Sequence, residues 1–448
     1  MKIAAVRWMV AVAWLSSPSL SHADLVLAGR LTTTGVGDEL DAGAKTPSVS
    51  PDGRYIAFVS SSTNMGPPAN GSTNVYRYDI GTDTFELATA GLGTGNSSAP
   101  SISADGLALA FQSEANDLAA GNSSSGTDIY YSERVAVGQD FVFNTYLVSN
   151  VAGGATPNGA SQYASISADG RWVAFLSYAS NLIGGDSNGA PDVFVADALS
   201  YFASQPERVS VDDGEGQING YSGALSPTAI SADGRYVAFS VDTPVSIDGS
   251  NAGTLSDVFV RDRTAGTTSL ISKSTGGVAG SSSSDEAAIS PNGRYVVFRS
   301  FSTNLVASNT GSRIYLRDRQ QGTTTNMPLP DGAASCEDPR VSNYADIVAQ
   351  CNMNVGPAQA FLYQTAHDVL YQLSTSLTAA PGNGTSGDFT SISADGSITV
   401  FDSAASDLVT GDANNTQDVF VVVPEPGAAS ACLAAFASLA AAARRRAR

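Results

Sequence analysis

One short pattern, repeated seven times along the 448-residue chain, limits the possible folds more than any other feature. Residues 47–58 have the sequence PSVSPDGRYIAF, and residues 100–111 have PSISADGLALAF. The turn positions of the copies are 51 to 64 residues apart, a spacing typical of propeller blades. The other copies centre on Asp169-Gly170, Asp233-Gly234, Asn292-Gly293, Asp395-Gly396 and, in a degraded form (PRVSNY), Asn343-Tyr344.

Each unit contains the signals of several short antiparallel strands. Two alternating apolar runs flank Asp-Gly or Asn-Gly, which tolerates positive φ and favours a two-residue type I′ turn. The Asp of this pair bonds nearby backbone amides in such turns. The Arg that often follows is expected to be solvated or to pair with such an Asp between blades. A third strand follows in every unit, and a fourth in most. The third strands begin at Asn74, Asp128, Asp192, Asp257, Arg313, Gln359 and Asp418.

The last unit lacks a fourth strand, and the chain has an unassigned strand near its start. Residues 418–423 lead directly into the C-terminal tail, whereas residues 28–33 form an orphan strand pattern. Pairing the two would close the ring and protect the exposed sheet edges. The sequence therefore predicts an all-β fold over residues 24–423. We expect a seven-bladed β-propeller of four-stranded antiparallel blades, closed by an N-terminal strand that completes the last blade.

Both ends of the chain have the features of sorting segments. Residues 1–23 combine Lys2 and Arg7 with an apolar run and a small-x-small cleavage site, which is typical of a signal peptide. Residues 424–448 contain Pro424-Glu425-Pro426, an apolar run over residues 428–443 and an Arg cluster. A 16-residue helix spans only ~24 Å, so a transient membrane contact is favoured over a permanent tail anchor.

These patterns resemble two known families. The repeat, Ser-x-Asp-Gly-Arg-Tyr-x-Ala-Phe, resembles the TolB-type, WD-like propeller repeat over residues 28–423. That resemblance implies the fold alone, because such propellers serve unrelated functions. The tail resembles the PEP-CTERM sorting signal, whose motif would be Pro424, Glu425 and Pro426. It implies processing by an exosortase-type enzyme and a location at the cell surface or in the extracellular matrix of a Gram-negative bacterium.

Composition removes several classes of function. The formal net charge of −19 opposes binding to nucleic acid. Only His22 and His367 are present, and His22 lies in the signal peptide, so histidine-based catalytic sites and histidine-rich metal sites are excluded. We identify no catalytic and no cofactor-binding residue. Paired carboxylates for glycoside chemistry stay possible, but 42 acidic residues give no basis for choosing a pair.

Two loops before third strands share an Asp-x-Asn-x3-Asp spacing that is suited to calcium. Alternating oxygen donors in a Gly-containing loop match the six to eight oxygen ligands of Ca²⁺. The alternative is that the final Asp caps the loop and the Asn and Gly residues form its turns. Any ion here would be structural. The six candidate ligands are Asp186, Asn188, Asp192, Asp412, Asn414 and Asp418.

Two cysteines, Cys336 and Cys351, flank the degraded turn. If Asn343-Tyr344 is a two-residue turn, the two cysteines face each other across the hairpin, and a disulfide is predicted. A one-residue slip in register would place them on opposite faces instead.

The loops between second and third strands, such as residues 177–191, are long, and so are those between blades, such as residues 212–227. In an up-and-down blade both sets emerge on one face, which we expect to bind a polysaccharide or an envelope protein. The sequence therefore predicts an exported, non-catalytic binding or scaffold protein. The alternative is an extracellular carbohydrate-active lyase or hydrolase that uses carboxylates at the channel mouth.

Overall fold

The repeated units fold into short strands in the computed structural model of the chain. It describes residues 25–31, 40–65, 71–89, 93–119, 126–151, 156–200, 205–222, 229–242, 255–307, 311–412, 414 and 416–424. The predicted signal peptide lies outside these residues, as does the tail beyond Pro424, including Glu425 and Pro426. No helix in the described part of the chain is long and apolar enough to span a bilayer.

The strands fall into seven groups in chain order, and each group is one blade. The first blade contains β2 (Ala44–Val49), β3 (Tyr55–Ser60), β4 (Asn74–Asp79) and β5 (Thr84–Leu87). The second contains β6 (Ser97–Ile102), β7 (Ala108–Ser113), β8 (Asp128–Val137) and β9 (Asp140–Leu147). The third contains β10 (Ser161–Ile166), β11 (Trp172–Ser177), β12 (Asp192–Asp197) and β13 (Glu207–Arg208). The fourth contains β14 (Tyr221–Ser222), β15 (Ala229–Ile230), β16 (Tyr236–Asp242), β17 (Asp257–Asp262) and β18 (Thr267–Leu270). The fifth contains β19 (Ser284–Ile289), β20 (Tyr295–Ser300), β21 (Arg313–Asp318) and β22 (Thr323–Asn326). The sixth contains β23 (Ala333–Val341), β24 (Ile347–Met353), β25 (Gln359–Gln364) and β26 (Val369–Gln372). The seventh contains β27 (Ser386–Ile392), β28 (Thr399–Ser403) and β29 (Asp418–Pro424), together with β1 (Leu25–Arg30) from the start of the chain. One 3-10 turn (Ala198–Ser200) follows β12.

All strand pairs in the described residues are antiparallel, and the first six sheets run in chain order from the strand that lines the channel to the outer strand. In the seventh sheet the outer strand is β1. In the fourth blade two short strands, β14 and β15, both pair with β16. Residues 223–228, between these two strands, are outside the described part of the chain. The predicted seven-bladed β-propeller of four-stranded antiparallel sheets is confirmed. The third strands begin at the seven predicted residues.

The last blade is completed by the start of the chain. Strand β1 pairs with β29, with Leu27 opposite Val422 and Gly29 opposite Val421. The amide of Leu31 continues the ladder by donating to the carbonyl of Val419 at 2.9 Å. The closing strand begins at Leu25, three residues earlier than the sequence indicated.

Seven apolar clusters form the core, and each is shared by two neighbouring blades. The cluster between the seventh and first blades contains Val419 and Val421 together with Phe58 and Ile56. Each blade therefore covers one face of the blade on either side, including across the junction between chain start and chain end. The hydrophobic effect that stabilises the ring is therefore distributed over all seven interfaces between blades.

The hairpin turns differ from the predicted type I′ turns. Ser50 and Tyr55 form the closing backbone pair, so four residues lie in the turn. Only Gly53 has positive φ, at 77°, whereas a type I′ turn needs it at both central residues. The side chain of Asp52 accepts from the Ser50 hydroxyl and from the Arg54 amide, which is the structural role expected of the repeated Asp.

The Arg that follows the turn fixes it to its own blade. Arg54 donates through Nε and Nη2 to the carboxylate of Asp79, at the end of the third strand, at 3.1 and 3.0 Å. The expected pairing of this Arg with the turn Asp is therefore replaced by a bidentate pair within the blade. The same pair recurs as Arg171–Asp197, Arg235–Asp262 and Arg294–Asp318.

Contacts between successive turns help to set the spacing of the blades. A Cβ atom on Gly106 would lie 2.4 Å from the ring of Tyr55 in the preceding blade, so only glycine fits there. Trp172 packs on Gly234 in the same way. Backbone bonds also connect neighbouring turns, such as the amide of Ala168 to the carbonyl of Ala232 at 3.0 Å.

The structure joins Cys336 and Cys351 in a disulfide between directly paired residues of β23 and β24. Cys336 lies directly opposite Cys351, as the sequence prediction assumed, but the turn that produces this register is not the assumed two-residue turn. Val341 pairs with Ile347, so the turn is longer than two residues, and a bulge between Glu337 and Arg340 offsets the difference.

We predict that replacing both cysteines with serine lowers the free energy of unfolding by ~3 kcal/mol, as the entropy of a 15-residue loop implies. Chemical denaturation with and without a reductant checks this. The reductant should destabilise the native protein and leave the double variant unchanged. A native protein that is indifferent to reductant would contradict the prediction.

We also predict that Arg30→Met destabilises the closing blade. Arg30 contacts Asp412 and Asp418 at 3.1 and 3.0 Å, and the side chains are only 6%, 3% and 1% exposed. Removing one partner of such a buried pair costs ~3–5 kcal/mol. The matched control is Arg235→Met, whose side chain is 40% exposed and whose loss should cost ~0–1 kcal/mol. Equal thermal shifts for the two variants would count against this role of Arg30.

Candidate binding site in the central channel

The innermost strands carry a bulge at the same place in six blades. The pairing of first and second strands shifts register there, as between Gln162 and Ser165. Five non-glycine residues at this place have left-handed φ angles of 48 to 59°, which costs ~1–2 kcal/mol each. These residues are Thr46, Ala99, Tyr163, Glu286 and Asp338. Bulges re-aim side chains and are frequent beside binding sites.

Side chains of the preceding blade hold several of the bulged amides. Gln112 accepts from the amide of Tyr163 at 2.9 Å. Glu286 accepts from the amide of Asp338 at 2.8 Å. Each bond connects the second or first strand of one blade to the first strand of the next. The strained backbone around the channel is therefore fixed by contacts between blades.

The channel contains a cavity of about 420 Å³, lined by the innermost strands of all seven blades. Most of the lining is Ser, Thr, Pro, Ile and Val. The lining extends from the bulges to the turn residues Pro51 and Pro291, so the cavity lies toward the hairpin-turn end of the channel. The long loops, on which we expected the ligand to bind, emerge at the opposite end, and parts of them lie outside the described residues.

Blades five to seven make one side of the channel region acidic. Arg299 lies among three carboxylates, contacting Asp285 at 2.8 Å, Glu286 at 2.6 Å and Glu337 at 3.1 Å. With three acids around one guanidinium, burial raises the pKa of Glu286 to about 8. In the seventh blade burial raises the pKa of Asp402 to about 7.

Arg340 is the second arginine of this region, and it lines the cavity itself. Its Nη1 donates to the carbonyl of Pro339 at 2.9 Å. Among the described residues no carboxylate lies within 4.0 Å of its guanidinium. Burial lowers its pKa, against the opposing charges of Asp338 and Glu286. Sequence reasoning missed this residue, although it was visible as an arginine in the degraded repeat.

The first predicted calcium loop is held by hydrogen bonds within the protein. Gln217 donates from Nε2 to Asp186 at 2.7 Å and to Asp192 at 2.9 Å. Burial raises the pKa of Asp192. Asn188 donates to the carbonyl of Ile218 and accepts from the amide two residues later.

The second predicted calcium loop surrounds a protein cation. The guanidinium of Arg30 contacts both Asp412 and Asp418, while Asn414 donates to the carbonyl of Leu40 at 3.2 Å. No group of three or more His, Cys, Asp or Glu side chains in the described ranges is arranged to hold a metal ion. Calcium binding at either loop stays a prediction.

Comparison with known proteins supports the fold. The chain is similar to an oligogalacturonate lyase from Vibrio parahaemolyticus (12% identity, TM-score 0.52), with 90% of this chain and 98% of that one covered. It is similar to a prolyl endopeptidase (11% identity, TM-score 0.51), covering 86% of this chain and 51% of that one, so it spans about half of the endopeptidase. TolB from Acinetobacter baumannii is a more distant likeness (11% identity, TM-score 0.39), with 79% and 76% covered. No family model and no curated protein matches the chain. At such identities the likeness shows a β-propeller and no more.

The buried acids predict a specific dependence of stability on pH. At pH 5 the folded protein still holds protons on Glu286 and Asp402, with pKa values of about 8 and about 7, that the unfolded chain has largely released. The free energy of unfolding should therefore fall as the pH rises through this window. Glu286→Gln should reduce that fall by ~3 kcal/mol.

Denaturation curves at pH 5, 6, 7 and 8 measure the effect. Glu114→Gln, at an exposed carboxylate, is the matched control and should leave the slope unchanged. The same slope in all three proteins would show that Glu286 does not titrate in this range.

Proposed function

We propose that the protein is an exported, non-catalytic binding protein whose central channel receives a saccharide at the cell surface or in the extracellular matrix. The observation that carries this proposal is the composition of the cavity wall. The wall combines the hydroxyl-bearing residues Thr46, Ser98 and Ser165, among others, with the aromatic residues Tyr163 and Phe389. Sugars present hydroxyl groups at their edges and apolar C–H faces, so they match hydroxyl-bearing and aromatic side chains together.

The dimensions of the channel support a small polar ligand or the end of a chain. A cavity of about 420 Å³ lies within the range of small-molecule sites. The ring of Phe389 is 41% exposed, so it is accessible to a ligand. Arg340 donates and Asp338 accepts, which are the two kinds of hydrogen bond that neighbouring sugar hydroxyls require.

The proposed location of the protein, at the cell surface or in the matrix, rests on the sequence. Residues 1–23 and 424–448 have the patterns of export and exosortase-type sorting. A polysaccharide-binding protein placed at the surface in this way would act as a matrix scaffold. An exosortase-type enzyme and a polysaccharide are the partners in this proposal, and an envelope protein is the alternative ligand.

One observation favours a carbohydrate-active enzyme as the second candidate. Glu286 and Glu337 contact the same nitrogen of Arg299, and a carboxyl with a pKa of about 8 beside a second carboxylate is an arrangement used in acid–base catalysis. Glu286 is nevertheless only 7% exposed and already bonded to Arg299 and to the amide of Asp338. These bonds favour a structural role and hence the binding protein.

A glycan-array screen of the purified protein, followed by calorimetry, tests the proposal. We expect binding to at least one saccharide class with a Kd in the micromolar range and no change in the saccharide after long incubation. Phe389→Ala should weaken binding about 5- to 30-fold, because stacking on an exposed ring contributes ~1–2 kcal/mol. Phe301→Ala, at another exposed ring, is the control.

Failure to bind any saccharide would refute the proposal. Cleavage of the saccharide that is abolished by Glu286→Gln would support the enzyme instead.

A further inference from the structure

Arg340 occupies a position that the repeat otherwise reserves for a small residue. Two of these small residues connect neighbouring blades: the hydroxyl of Ser101 accepts from the amide of Ile166, and that of Ser391 accepts from the amide of Val49, both at 3.1 Å. An arginine here is therefore a departure from what the scaffold requires. The equivalent residues in the other six repeats are Ser48, Ser101, Ser165, Ala229, Ala288 and Ser391.

The electrostatic surroundings of Arg340 differ from those of Arg299. Arg299 contacts three carboxylates, whereas the guanidinium of Arg340 has no carboxylate within 4.0 Å among the described residues and one hydrogen bond, to the carbonyl of Pro339. A guanidinium stays protonated under all ordinary conditions. Asp338 and Glu286 attract this charge from beyond contact distance, which offsets less of the cost of its burial than a contacting counter-ion would.

The acids near the channel are occupied by other donors. Asp388 accepts from the side-chain amides of Gln350 and Gln417 at 2.6 and 3.3 Å. Asp402 accepts from the amide of Phe389 at 2.9 Å. None of these bonds involves Arg340, which itself lines the cavity.

We propose that Arg340 binds the carboxylate of an acidic saccharide, a chain that ends in or contains a uronic acid. This inference deepens the proposed function and rests on it. A planar guanidinium pairs with a carboxylate through two parallel hydrogen bonds, which fixes the orientation of the sugar. The ring of Phe389 and the hydroxyl groups of the wall then contact the rest of the sugar.

Isothermal titration calorimetry with trigalacturonic acid tests the inference, because its methyl ester keeps the size and hydroxyl groups and lacks the charge. Neutral trigalactose is the third probe. We expect the native protein to bind the acid about 10- to 100-fold more tightly than the ester, as a charge-assisted pair implies. Arg340→Ser, which restores the residue of four other repeats, should remove this preference. Arg171→Ser, at an exposed turn arginine paired with Asp197, should keep it.

The outcomes separate this inference from the proposed function. Equal binding of acid, ester and trigalactose, unaffected by Arg340→Ser, would overturn the role of Arg340 and leave saccharide binding intact. Binding of no saccharide would overturn both. Arg340-dependent binding of a peptide with a free C-terminal carboxylate, without binding of saccharide, would overturn the saccharide assignment. The comparison of acid with ester uses the native protein, so equal affinities for the two would overturn the inference even if the variant does not fold.

Discussion

Because β1 belongs to the start of the chain and β29 to its end, their pairing joins seven sheets into a ring. Each blade has two apolar faces, and only a closed ring covers every face with a neighbour. The cluster shared by the seventh and first blades shows that the last interface is packed like the others. Within the seventh blade, Arg30 on the closing strand adds a buried ion pair with Asp412 and Asp418. The central channel exists only because this junction is closed.

A ring of similar repeats gives a symmetric channel, and this chain departs from the symmetry at few positions. The bulges recur in six blades among the described residues, so the backbone beside the channel is similar in these six. The side chains at and beside the bulges differ: Lys45, Ser98 and Gln162 in blades one to three, and Asp285, Glu337 and Asp388 in blades five to seven. Arg340 lies within the acidic half. The repeat provides the scaffold, and the departures from it place charged side chains beside the channel.

Much of the fold was predictable because the repeats agree with one another. The third strands begin at residues such as Asp192 and Asp257, where a polar residue precedes an apolar run in each unit. The turn type was not predictable from Asp-Gly, since the same dipeptide fits a four-residue turn when a Ser precedes it and caps it. The register at Cys336 came out correctly because a bulge offsets the longer turn.

The site was less accessible to sequence reasoning, and the reasons are physical. A loop of Asp and Asn residues has the same local pattern whether its cation is calcium or a guanidinium from residue 30, more than 380 positions away. Long-range contacts of this kind leave no local signal. Arg340 did leave one, as a large charged residue at a place where six repeats have Ser or Ala.

The most direct measurement is a crystal structure of the protein with trigalacturonic acid. We expect the sugar in the central channel, with one carboxylate ~2.7–2.9 Å from the guanidinium nitrogens of Arg340. A ring of the sugar should lie against Phe389. Sugar bound among the long loops at the other end, with Arg340 contacting no carboxylate, would contradict it.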